Sequence, residues 1–205
     1  AQKLAAVPED KFEGMLGGWR ERVGEETERI TVHLLGGGHV RGTLGSGQNE
    51  WYTPTLYIEK ARKVLDGIGL DPASSEQAQK NVKATKYYTI EQDGLSKNWE
   101  GNVWLNPPYA QPLIGNFIDK LVLEIKARKV CTAILLTHNY TDTEWFHKAA
   151  NECKLMCFTK GRVKFESPDG TIASPTQGQT FFMFGSVEDM NNGVADAFKT
   201  SFSDV

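Results

Sequence analysis

The sequence lacks the features of secreted, membrane-spanning and metal-binding proteins. It has no apolar run long enough to span a bilayer and no secretory signal at its start, which predicts a cytoplasmic protein without a membrane partner. Its three cysteines, Cys131, Cys153 and Cys157, are odd in number and lie within apolar segments, so we expect them to be reduced core residues. A zinc site needs four ligands, and His147 with Cys153 and Cys157 does not complete such a set. We therefore expect no metal.

An excess of positive charge is also missing. The chain has 23 lysines and arginines against 26 acidic residues, a formal net charge of −3, so any surface that binds nucleic acid must be local. A hydrophobic content of 40% and 205 residues suit one folded domain with a full core. The oligomeric state is not readable from the sequence.

The chain divides near residue 48. Residues 1–48 combine a charge-dense, helix-like start with a glycine-rich stretch, and we interpret them as an N-terminal extension. That stretch lacks the strand–turn–helix setting of a phosphate-binding loop, so a linker is the simpler interpretation. The main domain is predicted to span residues 49–205.

Strand and helix patterns alternate through the main domain. Helices are predicted over residues 54–65, 75–85, 113–127 and 142–151, the last with Thr141 or Asp142 as its N-cap. Strands are predicted over residues 67–70, 87–89, 102–105, 130–137, 155–158, 162–165 and 180–184. This alternation predicts an α/β fold, with helices on both faces of a mostly parallel sheet. The last strand is expected to be antiparallel.

The tetrapeptide Asn106-Pro107-Pro108-Tyr109 directly follows a buried strand. An exocyclic amine on a nucleobase is a poor nucleophile because its lone pair is delocalised into the ring. The Asn106 side-chain oxygen and a main-chain carbonyl can each accept one amine hydrogen, and the prolines keep the turn extended. Fixed dipoles of this kind stabilise the charge that develops during transfer, and the Tyr109 ring offers a flat surface for a base. The alternative is an ordinary exit from a strand.

A second polar residue, Asp71, follows an earlier strand. Ligands of open α/β sheets bind at the carboxyl ends of the strands, so Asp71 and Asn106 predict two ligands that meet over the sheet. Asp71 is then expected to hold an ammonium group or a ribose hydroxyl. Alternatively, Asp71-Pro72 is only the turn that begins a helix.

Together with other segments, these pieces resemble the phage-type DNA adenine methyltransferases, the Dam-like family. The segments that carry the resemblance are Glu50-Trp51-Tyr52-Thr53-Pro54, Leu70-Asp71-Pro72-Ala73-Ser74, Asp93-Gly94-Leu95, Asn106-Pro107-Pro108-Tyr109, Thr141 to Phe146, Phe158 to Arg162 and Pro175 to Gln179. The resemblance covers roughly residues 49–185. It implies a Rossmann-like class I fold that uses S-adenosylmethionine to methylate the 6-amino group of adenine in DNA, in a bacterial or phage-infected host cell.

The resemblance also assigns roles to residues. It implies cofactor contacts from Tyr52, Thr53 and Pro54 on the methionine side, from Asp71, Ala73 and Ser74 at the first strand end, and from Asp93 at the cofactor's adenine. It implies that the target base is bound by Asn106, Pro107, Pro108 and Tyr109. The glycine-rich turn usual after the first strand is replaced here by Ala73-Ser74-Ser75.

DNA contacts are expected near the last strands. Phosphate contacts require cations, and Lys160 and Arg162 lie in a late segment, while Gln177 and Gln179 are candidates for reading adenine or supporting the orphan base. The segment His138-Asn139-Tyr140 ends the central strand and is expected to face the same site. The alternatives are a solvated strand face for the cations and a capped strand exit for Asn139.

We predict direct methyl transfer to adenine in DNA, with base flipping and without a metal. Two alternatives stay open. The first is methylation of another planar amine, of cytosine, RNA guanine or protein glutamine. The second is a non-catalytic DNA-binding relative, which the missing glycine-rich turn favours and the intact Asn106–Tyr109 segment disfavours.

Overall fold

The computed structural model describes residues 52–166, 172–173 and 175–205. The predicted N-terminal extension, residues 1–48, lies outside the described residues. The α-helices of the described residues are α1 (Thr55–Val64), α2 (Glu76–Val82), α3 (Leu113–Lys126), α4 (Glu144–Glu152), α5 (Val187–Asp189) and α6 (Ala195–Ser201). The strands are β1 (Leu70–Asp71), β2 (Lys86–Tyr87), β3 (Gly101–Leu105), β4 (Val130–His138), β5 (Leu155–Phe158), β6 (Phe165–Glu166), β7 (Ile172–Ala173) and β8 (Gln179–Gly185).

Six strands form one mixed sheet in the order β2-β1-β3-β4-β8-β5. The strands β2, β1, β3 and β4 are parallel, and β8 runs antiparallel between β4 and β5. Since β4 and β5 both oppose β8, they run in the same direction. The carboxyl ends of β1 to β5 and the amino end of β8 therefore meet at one edge, which we call the carboxyl edge. This confirms an α/β fold with a mostly parallel sheet and an antiparallel last strand.

The core has two layers, one on each face of the sheet. On one face α3 and α4 cover Leu105, Leu135 and Phe182; on the other, α1 and α6 cover residues such as Ile134 and Phe181. The central strands β4 and β8 are buried on both faces, which explains why their sequences are continuous apolar runs. The sheet is thus held rigidly from both sides.

Several predicted details are wrong. The helix α4 is capped by Thr143, whose hydroxyl accepts from Phe146 N–H, and not by Thr141 or Asp142. The strand predicted over residues 162–165 is displaced: only Phe165–Glu166 is extended, and it pairs with β7 outside the main sheet. The C-terminal helices were not predicted, because their stripe of Phe198 and Phe202 lies in a short, polar-rich segment.

The three cysteines are free, in agreement with the prediction, but they are not all in the core. Cys131 is exposed near the start of β4, and Cys153 and Cys157 are only half-buried. The described residues contain no group of three or more side chains placed to hold a metal ion. None of the helices described is long and apolar enough to cross a membrane.

Candidate active site

The carboxyl edge of the sheet collects the polar residues that the sequence singled out. Asp71 ends β1, Asn106 follows β3, and His138 ends β4. The register places Leu105 beside Leu135 and His138 beside Gln179, so the residues after β3 lie next to the end of β4 and the start of β8. This edge is where an open α/β sheet binds its ligands.

Asn106 is held by hydrogen bonds on both sides of its amide. Its Oδ1 accepts from the Tyr109 hydroxyl at 2.8 Å, and its Nδ2 donates to Thr53 Oγ1 at 3.3 Å. Thr53 is buried, Pro107 is buried and Pro108 is exposed. An amide oxygen has two lone pairs, so Asn106 Oδ1 keeps the capacity to accept one more hydrogen bond.

The ring of Tyr109 packs against His138. The two ring centroids are 4.1 Å apart with an interplanar angle of 45°, and contacts continue from His138 to Tyr140 and from Tyr140 to Trp145. Burial raises the pKa of Tyr109 well above its usual value, so the hydroxyl stays protonated and remains a donor to Asn106. Trp145 itself is buried in the core.

Gln179 supports His138 from the start of β8 and is fully buried, with 0% exposure. Its Oε1 accepts from Val163 N–H at 2.6 Å, and its Nε2 lies 2.6 Å from the Gln177 carbonyl oxygen and 3.3 Å from His138 Nδ1. The main-chain groups of Gln179 also bond to Thr159. Gln179 is thus enclosed and hydrogen-bonded within the protein, whereas the sequence suggested a side chain that reads adenine or supports the orphan base.

Asn139 continues the same network. Its N–H donates to the Gly178 carbonyl at 2.9 Å, and its Oδ1 accepts from the Thr180 hydroxyl. A Cβ added at Gly178 would lie 2.8 Å from Asn139 Nδ2, so the absence of a side chain there lets the two loops approach. Asn139 and Gln177 are half-buried, and the Gln177 carbonyl accepts from the same Gln179 amide that faces His138.

Asp71 faces inward, with only 3% of its surface exposed. Its Oδ1 accepts from Ala73 N–H at 3.4 Å and its Oδ2 from Gln79 Nε2 at 2.9 Å, while the same Nε2 lies 2.8 Å from Ser74 Oγ. Burial raises the pKa of Asp71 to about 6, although hydrogen bonds from Ser74, Ala73 and Gln79 act in the opposite direction. The carboxyl group therefore shapes the turn between β1 and α2.

Asp93 lies near the turn between β1 and α2 because its neighbour Gly94 packs against Pro72. A Cβ on Gly94 would come within 1.9 Å of the Pro72 carbonyl oxygen, so only glycine allows the two loops to pack this closely. The Gly94 carbonyl accepts from the buried Trp99 indole at 2.8 Å. Asp93 is exposed, and one of its oxygens accepts from Leu95 N–H at 3.1 Å.

The segment Tyr52-Thr53-Pro54 connects these parts. Tyr52 exchanges main-chain hydrogen bonds of 2.7 and 3.0 Å with Glu166, and the Thr53 carbonyl accepts from Asn81 Nδ2 on α2 at 2.8 Å. The Thr53 hydroxyl oxygen accepts the hydrogen bond from Asn106 Nδ2. Thr53 thus links the helix after the Asp71 turn to the tetrapeptide after β3.

Comparison with known proteins identifies the family. The sequence model described as "DNA N-6-adenine-methyltransferase (Dam)" matches residues 42–190. The chain belongs to this family. It is similar to the DNA N-6-adenine-methyltransferase of Haemophilus phage HP1 (strain HP1c1), with 29% identity over 128 residues, 60% of this chain and 69% of the relative. It is also similar to the protein of the same name from Escherichia phage T1, with 33% identity over 101 residues, 48% of this chain and 40% of that relative.

Membership of the DNA N-6-adenine-methyltransferase family confirms the resemblance inferred from the sequence. In this family member, the two predicted phosphate contacts, Lys160 and Arg162, are both exposed beyond the carboxyl end of β5. Thr159 N–H bonds to the Gln179 carbonyl at 3.1 Å, which ties this basic segment to the edge that holds Asn106. Phe158, at the end of β5, is 53% exposed beside it.

Sequence reasoning missed two supporting residues of this family member. Gln79 binds the Asp71 turn and Asn81 binds the Thr53 carbonyl. In the sequence, both have the pattern of ordinary amides on the surface of a helix. His138 was not missed, because its position with Asn139 and Tyr140 at the end of an apolar strand already indicated that it could face the pocket.

Proposed function

We propose that this chain transfers a methyl group from S-adenosylmethionine to the 6-amino group of adenine in DNA. The family match and the names of the two phage relatives support the reaction class. The observation that carries the proposal for these residues is the fixed Asn106 amide, with Tyr109 on one side and Thr53 on the other. The phage relatives also support action on DNA inside a bacterial host cell.

We propose a Rossmann-like class I fold. The strand order, with an antiparallel strand between the last two parallel strands, supports this assignment. Within the part of the chain that the structure describes, one short strand, β2, lies beyond β1 on its side of the sheet, which agrees with the short distance in sequence between Asp71 and Asn106.

In the proposed mechanism, Asn106 Oδ1 and the Pro107 carbonyl each accept one hydrogen of the adenine amine. Pro107 and Pro108 keep this turn extended, so the carbonyl is not drawn into a helix. The two acceptors stabilise the positive charge that grows on the nitrogen, and Tyr109 stacks on the flipped base. The methylated nitrogen is strongly acidic and loses its proton to water, so a strong general base is not required.

The donor set around the Asp71 turn fits the proposed cofactor. The exposed Asp93 carboxylate suits the amine of the cofactor's adenine, and Ala73 and Ser74 form a turn that reaches the same edge. We propose that Tyr52, Thr53 and Pro54 line the methionine side, next to Asn106. Asp71 acts by holding the turn, since it is buried and each of its oxygens accepts a hydrogen bond from the turn or from α2. When bound, S-adenosylmethionine supplies an electrophilic methyl group on a sulfonium.

We propose that DNA lies across the carboxyl edge. Lys160 and Arg162 contact phosphates, and Asn139 and Gln177 lie beside the base site, where the flipped adenine leaves the duplex. The burial of Gln179 supports a different role for it, as a support for His138.

Incubation of the protein with methyl-labelled S-adenosylmethionine and duplex DNA, followed by nucleoside analysis, tests the proposal. We expect label only in N6-methyl-2′-deoxyadenosine of the digested DNA. Asn106→Ala is expected to lower the rate about 100-fold or more, because it removes an acceptor aimed at the reacting amine. Calorimetry with the cofactor should show similar affinity for Asn106→Ala and the unmodified chain.

Label in cytosine, RNA or protein would contradict the assignment to adenine in DNA. If the unmodified protein binds no S-adenosylmethionine, with or without DNA, and transfers no label, the result would favour a non-catalytic relative. Full activity of Asn106→Ala would remove the proposed role of the tetrapeptide.

A further inference from the structure

The hydrogen bonds around Gln179 fix the orientation of its amide. Val163 N–H is a main-chain donor, so the atom it meets at 2.6 Å must be the amide oxygen of Gln179. The Gln177 carbonyl is a main-chain acceptor, so the atom it meets at 2.6 Å must be the amide nitrogen. The second hydrogen of that nitrogen then points to His138 Nδ1, 3.3 Å away.

The orientation of the Gln179 amide determines the protonation state and the tautomer of His138. A nitrogen that faces an N–H donor must offer a lone pair, so Nδ1 carries no proton and the imidazole is neutral with its hydrogen on Nε2. Burial acts in the same direction, since it lowers the pKa of His138 to about 4. His138 is thus a neutral ring whose plane is tethered to a fully buried side chain.

The tethered ring lies against the residue that is proposed to stack on the base. The ring centroids of His138 and Tyr109 are 4.1 Å apart, and the Tyr109 hydroxyl is bonded to Asn106 at 2.8 Å. Tyr109 is therefore fixed at both its ring and its hydroxyl. A planar stacking surface acts on a substrate only if it is held in the productive orientation.

Building on the proposed methyltransferase function, we infer that His138 is a positioning residue that holds the Tyr109 ring in place for the target base, and that Gln179 holds His138. His138 is not a general base in this arrangement, because Nδ1 is already occupied and Nε2 carries the proton. Its contribution is the flat face of the imidazole against Tyr109.

Two substitutions separate the ring from the acceptor. His138→Phe keeps a flat ring against Tyr109 and loses the acceptor for Gln179, whereas His138→Asn keeps an acceptor and loses the ring. We expect His138→Asn to lower kcat about 10- to 100-fold and His138→Phe to lower it only about threefold, since small misplacements of a binding surface are costly. The KM for DNA and the Kd for S-adenosylmethionine should change by less than about threefold in both. His147→Asn, at an exposed histidine of α4, is the control and should behave like the unmodified protein.

Three results would overturn the inference. The first is an unchanged kcat in His138→Asn. The second is an equal loss in both variants that parallels a fall in Tm, which would indicate a structural role only. The third is a loss confined to the KM for DNA, which would make His138 a DNA contact.

The imidazole can also be examined without any activity. The ¹⁵N NMR spectrum of the histidines distinguishes a protonated from an unprotonated ring nitrogen, and we expect His138 Nδ1 to be unprotonated. A proton on Nδ1 at neutral pH would overturn the tether to Gln179. If the unmodified protein transfers no methyl group, the proposed function fails, whereas the spectrum still decides whether the His138–Gln179 arrangement is correct.

Discussion

The hydroxyl group of Tyr109 donates a hydrogen bond to Asn106 Oδ1 over 2.8 Å, so the first and last residues of Asn106-Pro107-Pro108-Tyr109 bind each other directly. Thr53 binds the other end of the same amide. The amide plane is therefore set in advance, and one lone pair of Oδ1 stays available for the amine of the proposed target base. Preorganisation of this kind avoids reorganisation during the reaction.

Tyr109→Phe and Tyr109→Ala separate the hydroxyl from the ring. Tyr109→Phe loses one neutral hydrogen bond, which is worth about 1 kcal/mol, so we expect a fall in kcat of about three- to tenfold. Tyr109→Ala also loses stacking, and we expect a fall of about 100-fold or more. Steady-state methylation assays measure both. Equal inactivity of the two variants would mean that the hydroxyl, and not the ring, is essential.

Thr53→Val tests whether the Thr53 hydroxyl acts through Asn106. The substitution keeps the shape of the side chain and removes the acceptor for Asn106 Nδ2, so kcat should fall up to about tenfold. Thr53→Ser should restore the rate. Cofactor affinity, measured by calorimetry, should change little in either variant. A weaker cofactor affinity with an unchanged kcat would instead place the hydroxyl on the cofactor.

Gly94→Ala should disturb the close contact between the loop of Asp93-Gly94 and the turn of Asp71-Pro72, which are both proposed to contact the cofactor. The added methyl group would meet the Pro72 carbonyl at 1.9 Å, and overpacking of this kind costs about 1–3 kcal/mol. We expect a lower Tm and weaker binding of S-adenosylmethionine. Gly115→Ala on α3 is the matched control, because its Cβ meets nothing within 4 Å and alanine favours a helix. Similar effects of the two substitutions would refute the specific packing of Gly94 on Pro72.

Asp71→Asn should change how stability depends on pH. The pKa of Asp71 is raised to about 6 by burial, so its contribution to stability is fully present below its unfolded pKa of 3.8 and is lost as the pH rises through 6. The stability of the unmodified protein relative to Asp71→Asn should therefore fall by at most about 3 kcal/mol between pH 4 and pH 7. Urea unfolding at several pH values measures this difference. A difference that is independent of pH would show that Asp71 titrates normally.

Lys160→Ala combined with Arg162→Ala should weaken DNA binding without changing cofactor affinity. Each phosphate contact contributes about 0.9 to the slope of log K against log salt, so the slope should fall by about 2. Lys63→Ala combined with Lys80→Ala removes the same charge from exposed helix positions near the amino ends of β1 and β2 and is the control. An equal fall in the slope for both pairs would indicate only an effect of net charge.

Most regular elements were predictable because they depend on local patterns. The stripe of α1 and the apolar run of β4 have the periods of a buried helix and strand, and both agree with the structure. The strand predicted over residues 162–165 failed for a non-local reason: the Val163 N–H, which a strand would pair, is bound by the Gln179 side chain. The cap of α4 was misplaced because three neighbouring residues, Thr141, Asp142 and Thr143, can each cap a helix.

The sequence itself determined the order of strands and helices along the chain and the position of Asp71 and Asn106 at strand ends. It could do so because hydrophobic periods of 2 and 3.6 residues and turn residues are local features of a sequence. Only the tertiary structure decided that Asp71 faces inward, that Gln179 is enclosed, and that Thr53 and His138 support Asn106 and Tyr109. The contacts of Thr53 with Asn106, of His138 with Tyr109 and of Gln179 with Val163 join residues that are far apart in sequence. They depend on strand register and on how closely loops pack, as at Gly94 and Pro72, and no local pattern encodes either.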